Sequence, residues 1–139
     1  MNNLNLQLNK IQHIGIPVTD LERSVSFYQQ LGFEPVMESP FDYQDDQGTC
    51  VMVKQGDILI ELYQFPFRFL DAIKSRKDGH VDHIAFDVQD IDLAFSSMKT
   101  LGFNPIEERP VFLPFWNNGC RYFNISGPDG ERLEFNQIL

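Results

Sequence analysis

Four side chains in this sequence, His13, Glu61, His83 and Glu134, are of types that together could hold a metal ion. Two imidazoles and two carboxylates suit Zn²⁺, Ni²⁺, Co²⁺, Fe²⁺ or Mn²⁺, and two ionised glutamates balance a divalent charge. Their spacing follows an internal repeat. A shift of 70 residues lays His13 on His83, and 12 of the 40 positions in 11–50 are then identical to those in 81–120. The shared residues include Asp20/Asp90, Leu31-Gly32-Phe33/Leu101-Gly102-Phe103, Pro35/Pro105 and Cys50/Cys120. Further along the offset grows to 73, and Glu61 falls on Glu134. A lone histidine in an apolar strand is usually a hydrogen-bonded core residue, and a glutamate beside a turn is usually solvated. Four such residues obeying one repeat point instead to a shared site.

Each repeat must position its histidine and glutamate, and the patterning shows how. The first reads as a strand over 11–18, a helix over 21–31 ending at Gly32, and strands over 33–38, 49–54 and 58–63. Thr19-Asp-Leu-Glu22 has the form of a capping box. The second reads as a strand over 81–88, a helix over 91–101 capped by Asp90, and strands over 103–108, 121–126 and 132–137. Its last hairpin should turn at Gly127-Pro128-Asp129-Gly130. The fold class expected is α+β, with tandem βαβββ modules forming a curved mixed sheet around a central metal site. The modules span 11–63 and 81–137, joined by a linker over 64–80 with a short helix near 68–75. Alternation in the first strand opposes Ile14, Ile16 and Val18 to His13 and Gly15; in its twin, Ile84, Phe86 and Val88 oppose His83 and Ala85. The apolar sets should pack under the helices, leaving both histidines on the other face. Glu61 and Glu134, each between apolar neighbours in a last strand, fall on that same face.

Composition narrows the function classes. A chain of 139 residues with 42% hydrophobic and 22% charged residues has ordinary globular proportions. A net charge of −9 argues against a nucleic-acid partner. No apolar run approaches a membrane span, and two cysteines without framework spacing fit a cytoplasmic location. A small-molecule substrate and a homodimer are expected.

His13 followed by Asp20–Tyr28 and Leu31-Gly-Phe33, then Ile60-Glu-Leu62, His83-Ile-Ala85 and Gly127–Phe135, resemble the vicinal oxygen chelate superfamily over about residues 11–137. That superfamily includes glyoxalase I, methylmalonyl-CoA epimerase, extradiol dioxygenases and bleomycin-resistance binding proteins. The resemblance implies metal ligands from the first and last strands of both modules, here His13, Glu61, His83 and Glu134. Glutamate at position 61, where related epimerases typically carry glutamine, makes the set most like glyoxalase I. It implies a lyase or isomerase that transfers a proton next to a carbonyl through a metal-stabilised enediolate, with Glu134 or Glu61 as the base. Glutathione or another thiol is a cofactor that the segment after Glu61, Leu-Tyr-Gln-Phe, does not support. Strand parity nominates Met52, Tyr122 and Asn124 for substrate binding, with Trp116 in a covering loop over Val111–Gly119. An epimerase, an extradiol-dioxygenase-like enzyme and a metal-free sequestering protein are the alternatives.

Overall fold

Leu21, Val25 and Tyr28 form one apolar stripe along helix α1 (Leu21–Gln30), and that stripe decides which strand faces are buried against it. The computed structural model describes residues 6–76, 81–126 and 132–139. They divide into two units: His13–Asp82, and the residues up to Gln12 together with His83–Leu139. The predicted turn at Gly127–Gly130 and the end of the predicted linker, 77–80, lie outside the described residues.

In the His13–Asp82 unit, β1 (Ile11–Pro17) leads through α1 to β2 (Glu34–Tyr43), β3 (Asp46–Gln55) and β4 (Ile58–Gln64). The strand order is β2-β3-β4-β1, with β1 parallel to β4 and β3 antiparallel to both its neighbours. Val18, Phe33, Val51, Val53, Ile60 and Leu62 form the core, with Ile16 and the α1 stripe packed on it. The helix cap is Asp20, whose carboxylate accepts from the Arg23 N–H at 3.0 Å, and not Thr19 as the capping-box reading has it. The predicted linker helix is a 3₁₀ turn at Phe67–Phe69 running into α2 (Leu70–Lys74). Phe65 and Phe69 pack on Tyr43, with ring centroids 4.6 and 4.9 Å away, whereas Phe67 is exposed.

The second unit repeats the plan with β5 (His83–Asp87), α3 (Ile91–Thr100), β6 (Val111–Leu113), β7 (Cys120–Ser126) and β8 (Arg132–Ile138). Its order is β5-β8-β7-β6, with β5 parallel to β8. Ile91, Ala94 and Met98 of α3 meet Phe123, Ile125 and Phe135, and the Phe123 and Phe135 rings stack at 5.1 Å. The Asp90 carboxylate caps α3 by accepting from the Leu93 N–H at 3.0 Å.

One predicted strand does not form. Residues 103–108 are irregular, and the edge strand β6 lies further on, inside the stretch expected to be a loop. Pro105 within the irregular segment and Pro110 just beyond it supply no N–H to a ladder. The edge of β7 is completed another way. The Ile106 N–H donates to the Asn124 carbonyl at 2.8 Å, and the Glu107 carboxylate accepts from the Asn124 N–H at 2.7 Å. A side chain thus replaces a strand. In the first unit the equivalent position is Met37, and β2 continues through it after a register shift between Pro35 and Met37.

Helix α3 is also fastened to β7 by Arg121, which donates twice to the Asp92 carboxylate at 2.8 and 2.9 Å. Those bonds hold the Asp92 carboxyl below its ordinary range. A lowered folded-state value means that the stabilisation is present above the unfolded value of about 4 and fades as pH falls through the folded one. Asp92 is two-thirds exposed, so solvent screening limits the contribution to about 0.5–1 kcal/mol. Asp92→Asn should therefore lower the urea midpoint slightly at pH 7, with the difference from wild type closing as pH falls through the lowered carboxyl range of Asp92. A difference that persists at low pH would show that the pair acts through packing alone.

Candidate functional site

Pairing of the first strand with the last brings a histidine and a glutamate together in each unit. In β1, His13 and Gly15 share the face turned away from Ile14 and Ile16. The parallel register sets Gly15 opposite Glu61 of β4, so His13 and Glu61 occupy one face with no side chain at Gly15 to fill it. His13 Nε2 lies 3.6 Å from Glu61 Oε2. The same logic sets Ala85 opposite Glu134, and His83 Nε2 lies 4.0 Å from Glu134 Oε1. All four residues are buried, none more than 9% exposed.

These separations bear on metal binding. Two donors each about 2.1 Å from a tetrahedral ion stand about 3.4 Å apart. Both pairs exceed ordinary hydrogen-bond length and lie near that value, so each fits two ligands of one ion without rebuilding of its strands. The donor chemistry, nitrogen plus oxygen, suits a borderline divalent metal.

Glu134 sits in a buried polar network that parity alone does not reveal. Its Oε2 accepts from Asn136 Nδ2 at 3.3 Å. Asn136 Oδ1 accepts from Gln12 Nε2 at 3.0 Å, and Gln12 Nε2 also donates to the Asp87 carboxylate and the Asn136 carbonyl, both at 3.2 Å. Asn136 Nδ2 further approaches the sulfur of Cys120, a free buried cysteine, at 3.8 Å. The network orients Glu134 as outer partners orient a metal-binding carboxylate. Asn136 carries a sequence signal, since it lies two residues beyond Glu134 on the same face. Gln12 and Asp87 carry none.

The residues nominated for substrate contact fall in different places. Met52 is the cross-strand partner of Glu61 and is fully buried. Asn124 is the cross-strand partner of Glu134, and Tyr122 that of Asn136, so both lie on the glutamate's face. Asn124 Nδ2 donates to Glu107 Oε1 at 2.7 Å, a contact the sequence reading misses because 103–108 reads as a strand. Trp116 lies in the turn between β6 and β7 with a left-handed φ of 65°, half-buried next to fully buried Phe115. Phe112 extends from β6 across Gly119 and is exposed.

Residues 10–135 match the family model of the Glyoxalase/Bleomycin resistance protein/Dioxygenase superfamily, and the chain belongs to that family. The protein YwbC of Bacillus subtilis (strain 168) is 34% identical, the match covering 92% of this chain and 97% of that protein. YaeR of Escherichia coli (strain K12) is 32% identical over 93% and 96%. Among solved structures, a Streptomyces coelicolor methylmalonyl-CoA epimerase in complex with 2-nitronate-propionyl-CoA superposes with a TM-score of 0.73 at 25% identity, covering 94% of this chain and 97% of that one. The methylmalonyl-CoA epimerase from Mycobacterium tuberculosis has the same fold, with a TM-score of 0.77 at 20% identity over 100% and 93%. No helix among the described residues is long and apolar enough to cross a membrane.

The amide network has a measurable consequence. Asn136→Leu removes one acceptor of Gln12 Nε2 and the Asn136 donor to Glu134 Oε2, which should cost about 1–3 kcal/mol in urea unfolding. An unchanged midpoint would mean that these bonds do not form in solution.

Proposed function

We propose that this chain is a metal-dependent enzyme that moves a proton on the carbon beside a carbonyl group of a small substrate. His13, Glu61, His83 and Glu134 are its metal ligands, shared by one ion. The observation that carries this reading is the presence, in each unit, of one buried His/Glu pair at a separation that fits two ligands. Two imidazole nitrogens and two carboxylates are a donor set that one divalent ion accepts, and two ionised glutamates balance its charge. When bound, that ion supplies a Lewis acid that stabilises negative charge developing on a substrate oxygen.

The proton itself is moved by the chain. Glu134 is the general base: its Oε2 is held by Asn136, and Oε1, the oxygen turned towards His83, would take the proton and return it when it is not engaged as a ligand. A positioned base of this kind contributes about 10²–10⁴-fold. Glu61 is the second carboxylate able to serve. Burial of both pairs keeps bulk water from competing for the proton.

Within this class, glutamate at position 61 favours a glyoxalase-type lyase or isomerase acting on an α-oxo or α-hydroxy carbonyl compound. The epimerase reading is the second, favoured by the likeness to the Streptomyces coelicolor enzyme along 94% of the chain.

Calorimetric titration of chelator-stripped protein with Ni²⁺ and Zn²⁺ should find about one ion per chain, bound about 10–100-fold more weakly by Glu61→Ala. The loaded protein should then exchange a substrate proton for solvent deuterium, with the hemithioacetal of methylglyoxal or with methylmalonyl-CoA identifying the branch. Glu134→Gln should lose most of that exchange. Absence of metal binding, or full exchange in both Glu134→Gln and Glu61→Gln, would contradict the reading.

A further inference from the structure

We propose that Asn124 is a specificity-determining acceptor that selects α-hydroxy carbonyl substrates by their hydroxyl, and that Glu107 is the positioning residue that aims it. The inference rests on the metal-dependent reading above and adds the substrate class.

One buried acceptor next to the site is unsatisfied. Asn124 is only 5% exposed, yet its Oδ1 has no hydrogen-bond partner among the described residues. Buried side-chain acceptors are nearly always paired, and one left over is the kind of group a ligand completes. The rest of the residue is fully engaged. Its N–H and Nδ2 both donate to the Glu107 carboxylate at 2.7 Å, and its carbonyl accepts from Ile106 at 2.8 Å.

That engagement fixes the direction of Oδ1. A carboxylate only accepts, so the end of the amide facing Glu107 must be the NH₂. Glu107 lies along the outer edge of β7, on the side where β6 pairs. The two ends of an amide point opposite ways, so Oδ1 is turned from that edge towards β8, where Glu134 is the cross-strand neighbour of Asn124. An acceptor beside the proposed base, with no donor among the described residues to answer it, selects a ligand that brings a donor. The hydroxyl of an α-hydroxy carbonyl compound is such a donor, carried one bond from the carbon next to the carbonyl. A purely α-oxo compound has none at that place.

Glu107 makes the orientation testable without a change of volume. In Glu107→Gln the oxygen must still accept from the Asn124 N–H, which leaves the NH₂ facing the Asn124 side chain. Asn124 then flips to offer Oδ1 to it and presents Nδ2, a donor, to the ligand. A merely structural role for Glu107 would not change which ligand is preferred.

The probes are glycolate and methoxyacetate, which share their chelating oxygens and differ in having a hydroxyl or an ether. Dissociation constants are read from the visible spectrum of Co²⁺-loaded full-length protein, so intrinsic differences in metal affinity cancel in the ratio between variants. The glycolate-over-methoxyacetate ratio should fall about 10-fold or more in both Asn124→Ala and Glu107→Gln relative to wild type, with Co²⁺ affinity unchanged. A ratio that stays constant in Glu107→Gln, or both ligands weakening in parallel, would overturn the inference and leave the metal reading standing. Failure of the wild type to bind Co²⁺ would overturn both.

Discussion

The parallel pairing of the first strand with the last is the constraint on which the site depends. In the His13–Asp82 unit it sets Gly15 beside Glu61, and in the other it sets Ala85 beside Glu134. Parallel strands cannot be joined by a hairpin, so each unit must place a helix and further strands between its two members. Those intervening elements are what the rest of each unit consists of. A helix covers one face, which makes that face apolar, and the opposite face is left for the histidine and the glutamate. Gly15 and Ala85, both small, keep the space above the pairing open. A slip of one residue in either register would carry the glutamate into the core beneath the helix and destroy both core and pair.

The two units then diverge in how they support their carboxylates. Glu134 is backed by a chain of amides ending on Asp87, with Gln12 reaching in from the segment ahead of His13. The divergence extends to the sheet edge. Where the first unit carries a long strand through Met37, the second carries Glu107, whose carboxylate takes the place of ladder bonds and fixes Asn124 beside Glu134. The amide chain and the Glu107 edge thus both lie next to Glu134, the residue proposed as base.

Much of this was legible in the sequence, for a physical reason. The repeat and the alternation of apolar residues report burial directly, so helices over 21–31 and 91–101, the paired strands, and the placement of His13, Glu61, His83 and Glu134 on non-helical faces were all readable. Side-chain networks are a different matter. The Gln12–Asn136–Glu134 chain depends on residues more than a hundred positions apart, and no local pattern marks it. The strand expected over 103–108 does not form: Pro105 reads as a repeat marker, but it is also a missing donor, as is Pro110 beyond it. With that strand misplaced, nothing marked Glu107 as a partner of Asn124, and the stretch 111–119 read as loop. Trp116 carries a left-handed backbone that no propensity for tryptophan would suggest.

Membership of the Glyoxalase/Bleomycin resistance protein/Dioxygenase superfamily leaves several chemistries available, and the proposed ligand set is what would choose among them. Diffraction from crystals of the Ni²⁺-loaded protein, with anomalous differences collected at the nickel edge, tests the central claim most directly. One peak per chain is expected, about 2.0–2.2 Å from nitrogen atoms of His13 and His83 and from carboxylate oxygens of Glu61 and Glu134. Nickel bound only at surface carboxylates, or by one His/Glu pair without the other, would contradict a single centre built from both repeats.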